Sequence, residues 1–285
     1  MTAKKTCAIT GSNGYVGGAM KKTFMANGWE IFELTRRSQP GARGGQFQLG
    51  ADLAPERLAG VDALVHCAYD FAPLRREQIQ AVNVAGSRKL FSAARAAGIS
   101  KIIFISSISA FVGCRSLYGQ AKLEIEKIAL DHGALVLRPG LVHGDDAGGM
   151  FGRVAAQIRN SSIVPLIGGG GQIQLLVHAD DLGGFAEKFA AGKIEIAPQV
   201  LTAAHPQPWL FKELLLAIAR AQGKKINFLP VPWRLVWGGL KTAEQCGLKL
   251  GFRSDSLVSL MHQNPQPDFS ANEKVGLVCR AFRTG

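Results

Sequence analysis

Apolar positions in the first half of the chain alternate between short continuous runs and runs with helical spacing. The continuous runs predict buried strands at residues 7–10, 29–34, 61–67, 99–106 and 135–137, with a short extra strand at 46–49. Helical spacing predicts helices at residues 15–27, 75–97 and 117–131. Strands that alternate with helices are typical of a parallel sheet covered on both faces. The pattern therefore predicts an α/β fold with a doubly wound parallel sheet.

The alternation weakens from about residue 144. We predict a helix at 151–159, a loop at 165–171, a strand at 175–178, a helix at 180–191, a strand at 199–202, and two or three helices between 209 and 260. This change of pattern indicates two parts. Residues 1–165 plus about 172–204 form a nucleotide-binding domain, and about 144–171 and 205–285 form a small, mostly helical substrate lobe.

Three glycines follow the first strand at three-residue spacing, Gly11, Gly14 and Gly17. A glycine can adopt the turn conformation that other residues resist, and it leaves room for a diphosphate to approach the backbone. The helix that follows presents free N–H groups to an anion. The stretch predicts a dinucleotide site, and an ordinary glycine turn is the alternative.

Two arginines, Arg36 and Arg37, follow the second strand, and no acidic residue stands beside them. At this position an acid binds the 2′-hydroxyl of an adenosine ribose, whereas arginine accommodates a 2′-phosphate. The pair favours NADP over NAD as the cofactor. The alternative is a pair of solvated arginines in a loop.

Tyr118 and Lys122 lie four residues apart, on one face of the helix predicted at 117–131. A nearby ammonium is expected to lower the pKa of a phenol, which is near 10 when unperturbed. Ser107, at the end of the preceding strand, can hydrogen-bond a substrate oxygen beside that phenol. These three catalytic candidates form a general acid–base device for interconverting a carbonyl and an alcohol. Ser109 is the alternative serine.

Taken together, these motifs resemble those of extended short-chain dehydrogenases/reductases, the family of NAD-dependent epimerases and dehydratases. The resemblance covers residues 10–182, about two-thirds of the chain, and includes the glycine turn, Ser107 and the Tyr118–Lys122 pair. Further matching segments are residues 52–53, 66–68, 83–87, 137–144 and 177–182. Family membership implies a Rossmann-type sheet and an NAD(P)-dependent enzyme.

The resemblance also implies individual roles. Lys122 would bind the cofactor ribose as well as modulating Tyr118, and Pro139, Leu141 and Val142 would wall the nicotinamide. The remaining residues expected to bind cofactor are Asn13, Tyr15, Val16, Asp52, Leu53, Cys67, Ala68 and Tyr69.

Two departures from the family pattern bear on the reaction. Only eleven positions separate Ser107 from Tyr118, a shorter loop than sugar epimerases carry. Ile108 and Ser109 stand where sugar dehydratases have an Asp-Glu pair, which disfavours dehydration. The leading hypothesis is an NADP(H)-dependent oxidoreductase acting on a carbonyl or hydroxyl of a small substrate. The alternatives are a nucleotide-sugar epimerase with tightly bound NAD(P) and a non-catalytic NADP-binding regulator or assembly factor.

Composition narrows the partners and the compartment. The formal net charge of +12 favours acidic ligands such as a phosphorylated cofactor, and no nucleic-acid motif accompanies it. Five scattered cysteines without metal-ligand spacing indicate a reducing compartment and no metal site. No secretory leader or long apolar run is visible, so we expect a cytoplasmic protein without nucleic-acid or membrane partners. The resemblance to the family also implies a homodimer.

Overall fold

The computed structural model describes residues 4–37, 43–145, 148–248 and 250–283. Its strands are β1 Thr6–Thr10, β2 Glu30–Thr35, β3 Gly44–Gln46, β4 Ala63–His66, β5 Lys101–Ile105, β6 Leu135–Pro139, β7 Leu141–His143, β8 Ile163–Ile167, β9 Ile173–Gln174, β10 Leu176–His178, β11 Val200–Ala203, β12 Trp209–Leu210 and β13 Asn227–Val231. Its helices are α1 Tyr15–Ala26, α2 Arg76–Ile79, α3 Ala85–Ala96, α4 Leu117–Asp131, α5 Gly149–Asn160, α6 Ala179–Ala190, α7 Phe211–Ala221, α8 Trp233–Gln245 and α9 Ser254–Met261.

Seven strands form one parallel sheet in the order β11-β6-β5-β4-β1-β2-β3. The chain builds outward from β1 through β2 and β3, then returns to the other side of β1 to place β4. The strand order therefore reverses between β1 and β4. In open α/β sheets, ligands bind outside the carboxyl ends of the strands at such a switch point.

Alternating residues of the strands bury both faces of the sheet. Ala8 and Leu64 pack with α3 and α4 in one core cluster, whereas Ile9 and Val65 pack with α1 and α6 in another. Near-continuous apolar strands are what a parallel sheet covered on both faces requires. The predicted α/β class and doubly wound parallel sheet are confirmed.

A buried ion pair fixes α4 against the sheet. Glu126 on α4 accepts hydrogen bonds from both ends of the Arg138 guanidinium on β6, at 2.8 and 2.6 Å. The same carboxylate accepts from the Ser106 hydroxyl at 2.5 Å, just after β5. The helix that carries Tyr118 and Lys122 is therefore held at the carboxyl ends of β5 and β6.

A third core cluster lies outside the sheet. It is formed by α5, α7 and the two-stranded pair of β8 with β13, and includes Phe151, Leu166 and Leu214. Helices α8 and α9 pack against each other, and α9 packs on α4.

The second half differs in detail from the sequence expectation. Residues 163–167 form a strand where we expected a loop from 165, and β13 lies within the stretch 209–260, for which we predicted only helices. The third strand of the sheet lies at Gly44–Gln46, slightly before the predicted 46–49. The helix predicted at 75–97 is present but contains a π-helical turn, Gln80–Val84. Three helices in the tail match the expectation.

Candidate active site

The glycine turn closes tightly between β1 and α1. Gly11 has a φ of +69°, in the left-handed region that favours glycine, and a Cβ there would lie 3.1 Å from the backbone of Ala68. A Cβ on Gly17 would lie 2.1 Å from the carbonyl oxygen of Gly11, so only glycine lets the helix approach this closely. Among the described residues, no side chain caps the start of α1 at Gly14. The backbone N–H groups of a helix start in this position suit a diphosphate.

The two arginines stand exposed directly after β2, as expected. A guanidinium nitrogen of Arg36 lies 4.0 Å from a carboxylate oxygen of Asp70. The strand does contain an acid, Glu33, but its carboxylate accepts hydrogen bonds from Ser12 and Lys21, both at 2.6 Å. Burial opposes ionisation of Glu33, and these two hydrogen bonds outweigh it and lower its pKa. Glu33 is thus engaged inside the fold, and the cationic side chains stand at the strand end.

A chain of hydrogen bonds joins the ends of β1 and β4 to α3. The Thr10 hydroxyl accepts from the backbone N–H groups of Cys67 and Ala68, at 3.1 Å each, and lies 2.7 Å from Nδ1 of His66. Since both lone pairs of the hydroxyl are used, its proton points at Nδ1. His66 therefore carries its own proton on Nε2, which lies 2.9 Å from the Ser87 hydroxyl.

Asn83 fixes the loop after β4. Its side-chain oxygen accepts from the backbone N–H of Asp70 at 2.7 Å, and its side-chain nitrogen donates to the carbonyl of the same residue at 3.0 Å. Asn83 lies in the π-helical turn, a feature that is frequent at functional sites. The loop is thereby anchored at Asp70, between Tyr69 and Phe71.

The three catalytic candidates come together at the end of β5 and the start of α4. Ser116 caps the helix, accepting from the backbone N–H of Gly119 at 3.1 Å. This places Tyr118 in the first turn of α4, where the nearby Ser107 hydroxyl acts to lower the pKa of its phenol. The buried Lys122 ammonium donates to the carbonyl of Ile105 at 2.8 Å and lies 5.9 Å from the centre of the Tyr118 ring.

The pKa of Tyr118 differs from the sequence expectation. Burial raises it to about 12, and the hydrogen bond from Ser107 offsets only part of that rise. The expected lowering by Lys122 is therefore wrong for this structure, because the ammonium is directed at the Ile105 carbonyl. Burial also lowers the pKa of Lys122 to about 8, although Cys67 and Glu126 act to raise it.

Aromatic side chains surround the Tyr118 ring. The centre of the Tyr69 ring lies 4.9 Å away in an edge-on arrangement, and the centre of the Phe71 ring lies 5.7 Å away and is stacked. Phe71 is half exposed, and Val112, in the short loop between Ser107 and Tyr118, is almost fully exposed. The approach to the phenol is therefore largely apolar.

Two residues hold this site from the far end of the chain: Asp255, in α9, and Arg253, the N-cap residue of α9. The Asp255 carboxylate accepts from the backbone N–H groups of Leu117 and Tyr118, at 2.8 and 2.9 Å. The Arg253 guanidinium donates to the carbonyls of Phe71 at 2.6 Å and Pro73 at 3.0 Å. Sequence reasoning missed both residues, because contacts that cross more than 130 positions leave no local pattern.

The remaining predicted residues lie along the same edge of the sheet or near it. Pro139 ends β6 and is buried, while Leu141 and Val142 are half-buried in β7. Leu53 is buried in the sheet core, and the exposed Asp52 pairs with Lys89 at 2.8 Å. The other four flank the glycine turn or follow β4: Asn13 exposed, Tyr15 and Val16 half-buried at the start of α1, and Cys67 half-buried.

No cluster of three or more potential metal ligands occurs within the described ranges. In the same part of the chain, no helix is both long and apolar enough to cross a membrane. All five cysteines are free thiols.

Comparison with known proteins defines the class. A model of the NAD dependent epimerase/dehydratase family matches residues 7–185, and the chain belongs to that family. The chain is 28% identical over 257 residues to a protein named ceramide reductase from Caulobacter vibrioides, covering 85% of this chain and 78% of the relative.

Solved structures share the fold. UDP-glucose 4-epimerase from Thermotoga maritima, bound to UDP-glucose, superposes with a TM-score of 0.75 at 18% identity, covering 97% of this chain and 94% of that one. MoeE5 in complex with UDP-glucose and NAD gives 0.75 at 17% identity, covering 98% and 95%. Membership of this family identifies an NAD(P)-dependent enzyme of the short-chain dehydrogenase/reductase type, and the two solved structures show the same fold.

Proposed function

We propose that the protein is an NADP(H)-dependent oxidoreductase that interconverts a carbonyl and a hydroxyl group on an apolar substrate. The observation that carries the proposal is that three candidates come together: the Ser107 hydroxyl acts on the pKa of the Tyr118 phenol, and the Lys122 ammonium lies 5.9 Å from the centre of the Tyr118 ring. A bound nicotinamide supplies or accepts the hydride in such chemistry.

Each of the three catalytic candidates has its own role in the reaction. Ser107 hydrogen-bonds the substrate oxygen, and Tyr118 gives its proton to that oxygen in the direction of reduction. Lys122, whose ammonium is directed at the Ile105 carbonyl, would bind the cofactor ribose beside Tyr118. A pKa near 12 keeps Tyr118 protonated at neutral pH, the state that a proton donor needs.

The glycine turn and the two arginines support a phosphorylated dinucleotide. The turn leaves space that a single Cβ would fill, and the start of α1 offers its N–H groups there. Gly11, Gly14 and Gly17 would hold the diphosphate. Arg36 and Arg37 would hold the 2′-phosphate, because a guanidinium binds phosphate with paired hydrogen bonds.

The apolar approach to Tyr118 supports the substrate class. Phe71 and Tyr69 offer ring surface against the Tyr118 ring. Burying a polar nucleotide diphosphate beside such groups without partners is unfavourable. The similarity to a protein named ceramide reductase points the same way, because a ceramide carries long apolar chains.

A nucleotide-sugar epimerase is the second candidate, favoured by the solved structures that share the fold and contain UDP-glucose. An epimerase returns its cofactor to the starting state, so it would retain NAD(P) through purification and show no net consumption. Nicotinamide absorbance of the purified protein, with and without UDP-glucose, distinguishes the two.

The direct test uses Tyr118→Phe in a screen of ketones with long alkyl chains, following NADPH consumption. We expect the turnover of Tyr118→Phe to be at least about 100-fold lower than that of the natural chain, because general acid catalysis contributes a factor of that order. NADPH affinity should be unchanged. Full activity in Tyr118→Phe would refute the assigned role, and Ser109→Ala, which keeps the Ser107 hydroxyl, is the matched control.

A further inference from the structure

Three aromatic rings meet at the candidate active site. The ring centres of Tyr69 and Phe71 lie 4.8 Å apart, those of Tyr69 and Tyr118 4.9 Å, and those of Phe71 and Tyr118 5.7 Å. All three distances are in the range of direct aromatic contact. Phe71 is 52% exposed, whereas Tyr69 and Tyr118 are half-buried. Phe71 is therefore the member of this cluster that presents ring surface to solvent beside the Tyr118 ring.

The exposed Phe71 side chain stands on a firmly held backbone. Directly before it, Asn83 makes two hydrogen bonds with the backbone of Asp70, at 2.7 and 3.0 Å. On its other side, the Arg253 guanidinium donates to the carbonyl of Phe71 at 2.6 Å and to that of Pro73 at 3.0 Å. A ligand that packs on a side chain with a fixed backbone pays less for ordering it than one that packs on a mobile loop.

Arg253 belongs to a segment that also holds the helix that carries Tyr118. Two residues later, the Asp255 carboxylate accepts from the first two backbone N–H groups of α4. Between the two, Ser254 donates its backbone N–H and its hydroxyl to the Glu244 carboxylate on α8, at 2.8 and 2.7 Å. This segment therefore fixes the loop and the start of α4 relative to each other.

We propose that Phe71 determines substrate specificity and that Arg253 is the residue that positions it, a step that rests on the proposed function. The Phe71 ring selects compounds with an apolar chain next to the carbonyl, because packing that chain on the exposed ring removes apolar surface of both from water. A short or polar substituent gains less from the same ring. Selectivity should appear as a lower KM for the longer chain, since this contact forms on binding and is the same in the transition state.

The test compares methyl ethyl ketone with methyl heptyl ketone, which share the reacting group, at saturating NADPH. We expect the natural chain to prefer the longer ketone in kcat/KM by at least about tenfold, a factor that a few buried methylene groups supply. Phe71→Ala should remove most of that preference by raising KM for methyl heptyl ketone, with kcat for methyl ethyl ketone within about twofold. Phe71→Leu keeps an apolar side chain and should keep more of the preference.

The positioning role of Arg253 is tested with and without the Phe71 ring. Arg253→Ala should lower the preference for the longer ketone at least about threefold in the natural chain, but not in Phe71→Ala, because the ring that it positions is then absent. The matched control is Arg95→Ala. The Arg95 guanidinium likewise donates to backbone carbonyls, those of His132 at 2.5 Å and Ile99 at 3.1 Å, near the end of α4, and its loss should leave the preference unchanged.

Two kinds of result would overturn the proposal. Equal kcat/KM for the two ketones, or a preference that survives in Phe71→Ala, would leave Phe71 as a packing residue only. Equal effects of Arg253→Ala in the two backgrounds would contradict the positioning role. Thermal unfolding and NADPH titration check that each variant is folded. Phe71→Gln, which places a polar side chain on the same backbone, should give the same loss and decides the question if Phe71→Ala does not fold.

Failure of the specificity role and failure of the proposed function give different results. If the natural chain reduces neither ketone, the proposed function is contradicted, and the specificity role with it. If the natural chain reduces both ketones and Tyr118→Phe does not, while Phe71→Ala keeps the preference, only the specificity role is contradicted.

Discussion

His66 shows how a single buried side chain ties stability to pH. Burial lowers its pKa to about 3, with a smaller contribution from Lys122, against 6.5 when unperturbed. Its neutral form is also fixed by the Thr10 proton directed at Nδ1. Between pH 6.5 and 3 the unfolded chain binds a proton at this position that the folded chain does not, so stability is complete above 6.5 and falls as the pH drops.

We expect His66→Gln to abolish this difference in proton binding between the unfolded and the folded chain. Between pH 6 and 4.5 the free energy of unfolding of the natural chain should fall more steeply than that of the variant, by about 1.4 kcal/mol per pH unit. Urea unfolding at several pH values measures both slopes. Parallel slopes would mean that His66 does not carry the dependence.

Lys122 predicts a pH limit on activity. Burial lowers its pKa to about 8, so the ammonium is present below that pH and lost as the pH rises through it. If the charged ammonium is needed to hold the cofactor ribose in place, kcat/KM for reduction should decline above about pH 8. In Lys122→Arg, which keeps its charge, the decline should move to higher pH, even if the maximum is lower. If the midpoint of this decline is the same in Lys122→Arg, Lys122 is not the group whose titration limits activity.

The arginines after β2 predict the cofactor preference. Arg36→Ala/Arg37→Ala should weaken NADPH binding at least about tenfold, because charge-assisted hydrogen bonds to phosphate are lost, and leave NADH binding within about twofold. Calorimetric titration with each nucleotide provides the measurement. Arg88→Ala/Lys127→Ala, which removes two exposed charges from α3 and α4, is the control. Equal losses for both nucleotides would point to a structural role for the arginines.

At the level of elements, α9 stabilises the start of the catalytic helix. The Asp255 carboxylate caps two backbone N–H groups of α4 and places a negative charge at the helix start. Asp255→Ala should lower the free energy of unfolding by about 1–2 kcal/mol, the cost of losing a helix cap, and also reduce kcat. Thermal unfolding and turnover measure the two effects.

The control for Asp255 is Asp268→Asn, in an exposed turn of the same region, where an amide oxygen can still accept from the backbone N–H of Ser270. It should change neither quantity. An Asp255→Ala variant that is as stable and active as the natural chain would show that Ser116 alone suffices as the cap.

Elements with a strong local period could be predicted from sequence, and so could site residues that are close along the chain. The glycine turn and the Tyr118–Lys122 pair belong to this class. By contrast, β13 was missed because Pro230 argues against a strand. It is accommodated because β8 is the one strand paired with β13 in the described part of the chain, which leaves the proline nitrogen without a required partner. Phe71 and Asp255 reach Tyr118 only through tertiary packing, which no local spacing reports.

At the level of the whole molecule, the separate core clusters predict that nucleotide binding and turnover can be damaged independently. Leu64 lies in the sheet core beside β1, and Leu214 lies in the cluster outside the sheet; both are buried. Replacing a buried leucine by alanine costs about 2–5 kcal/mol through lost burial and the cavity left behind. The two positions therefore allow a chemically identical change in each part.

Leu214→Ala should loosen the part outside the sheet, lowering kcat/KM for reduction while NADPH affinity stays within about twofold, because the glycine turn and Arg36 belong to the sheet. Leu64→Ala should weaken NADPH binding as well, since Leu64 packs directly behind the strand ends that shape the turn. Hydrogen exchange localises the loss of protection in each variant. If both variants lose NADPH binding equally, the two parts unfold as one unit, and the predicted division into a nucleotide-binding domain and a substrate lobe does not describe the stability of this chain.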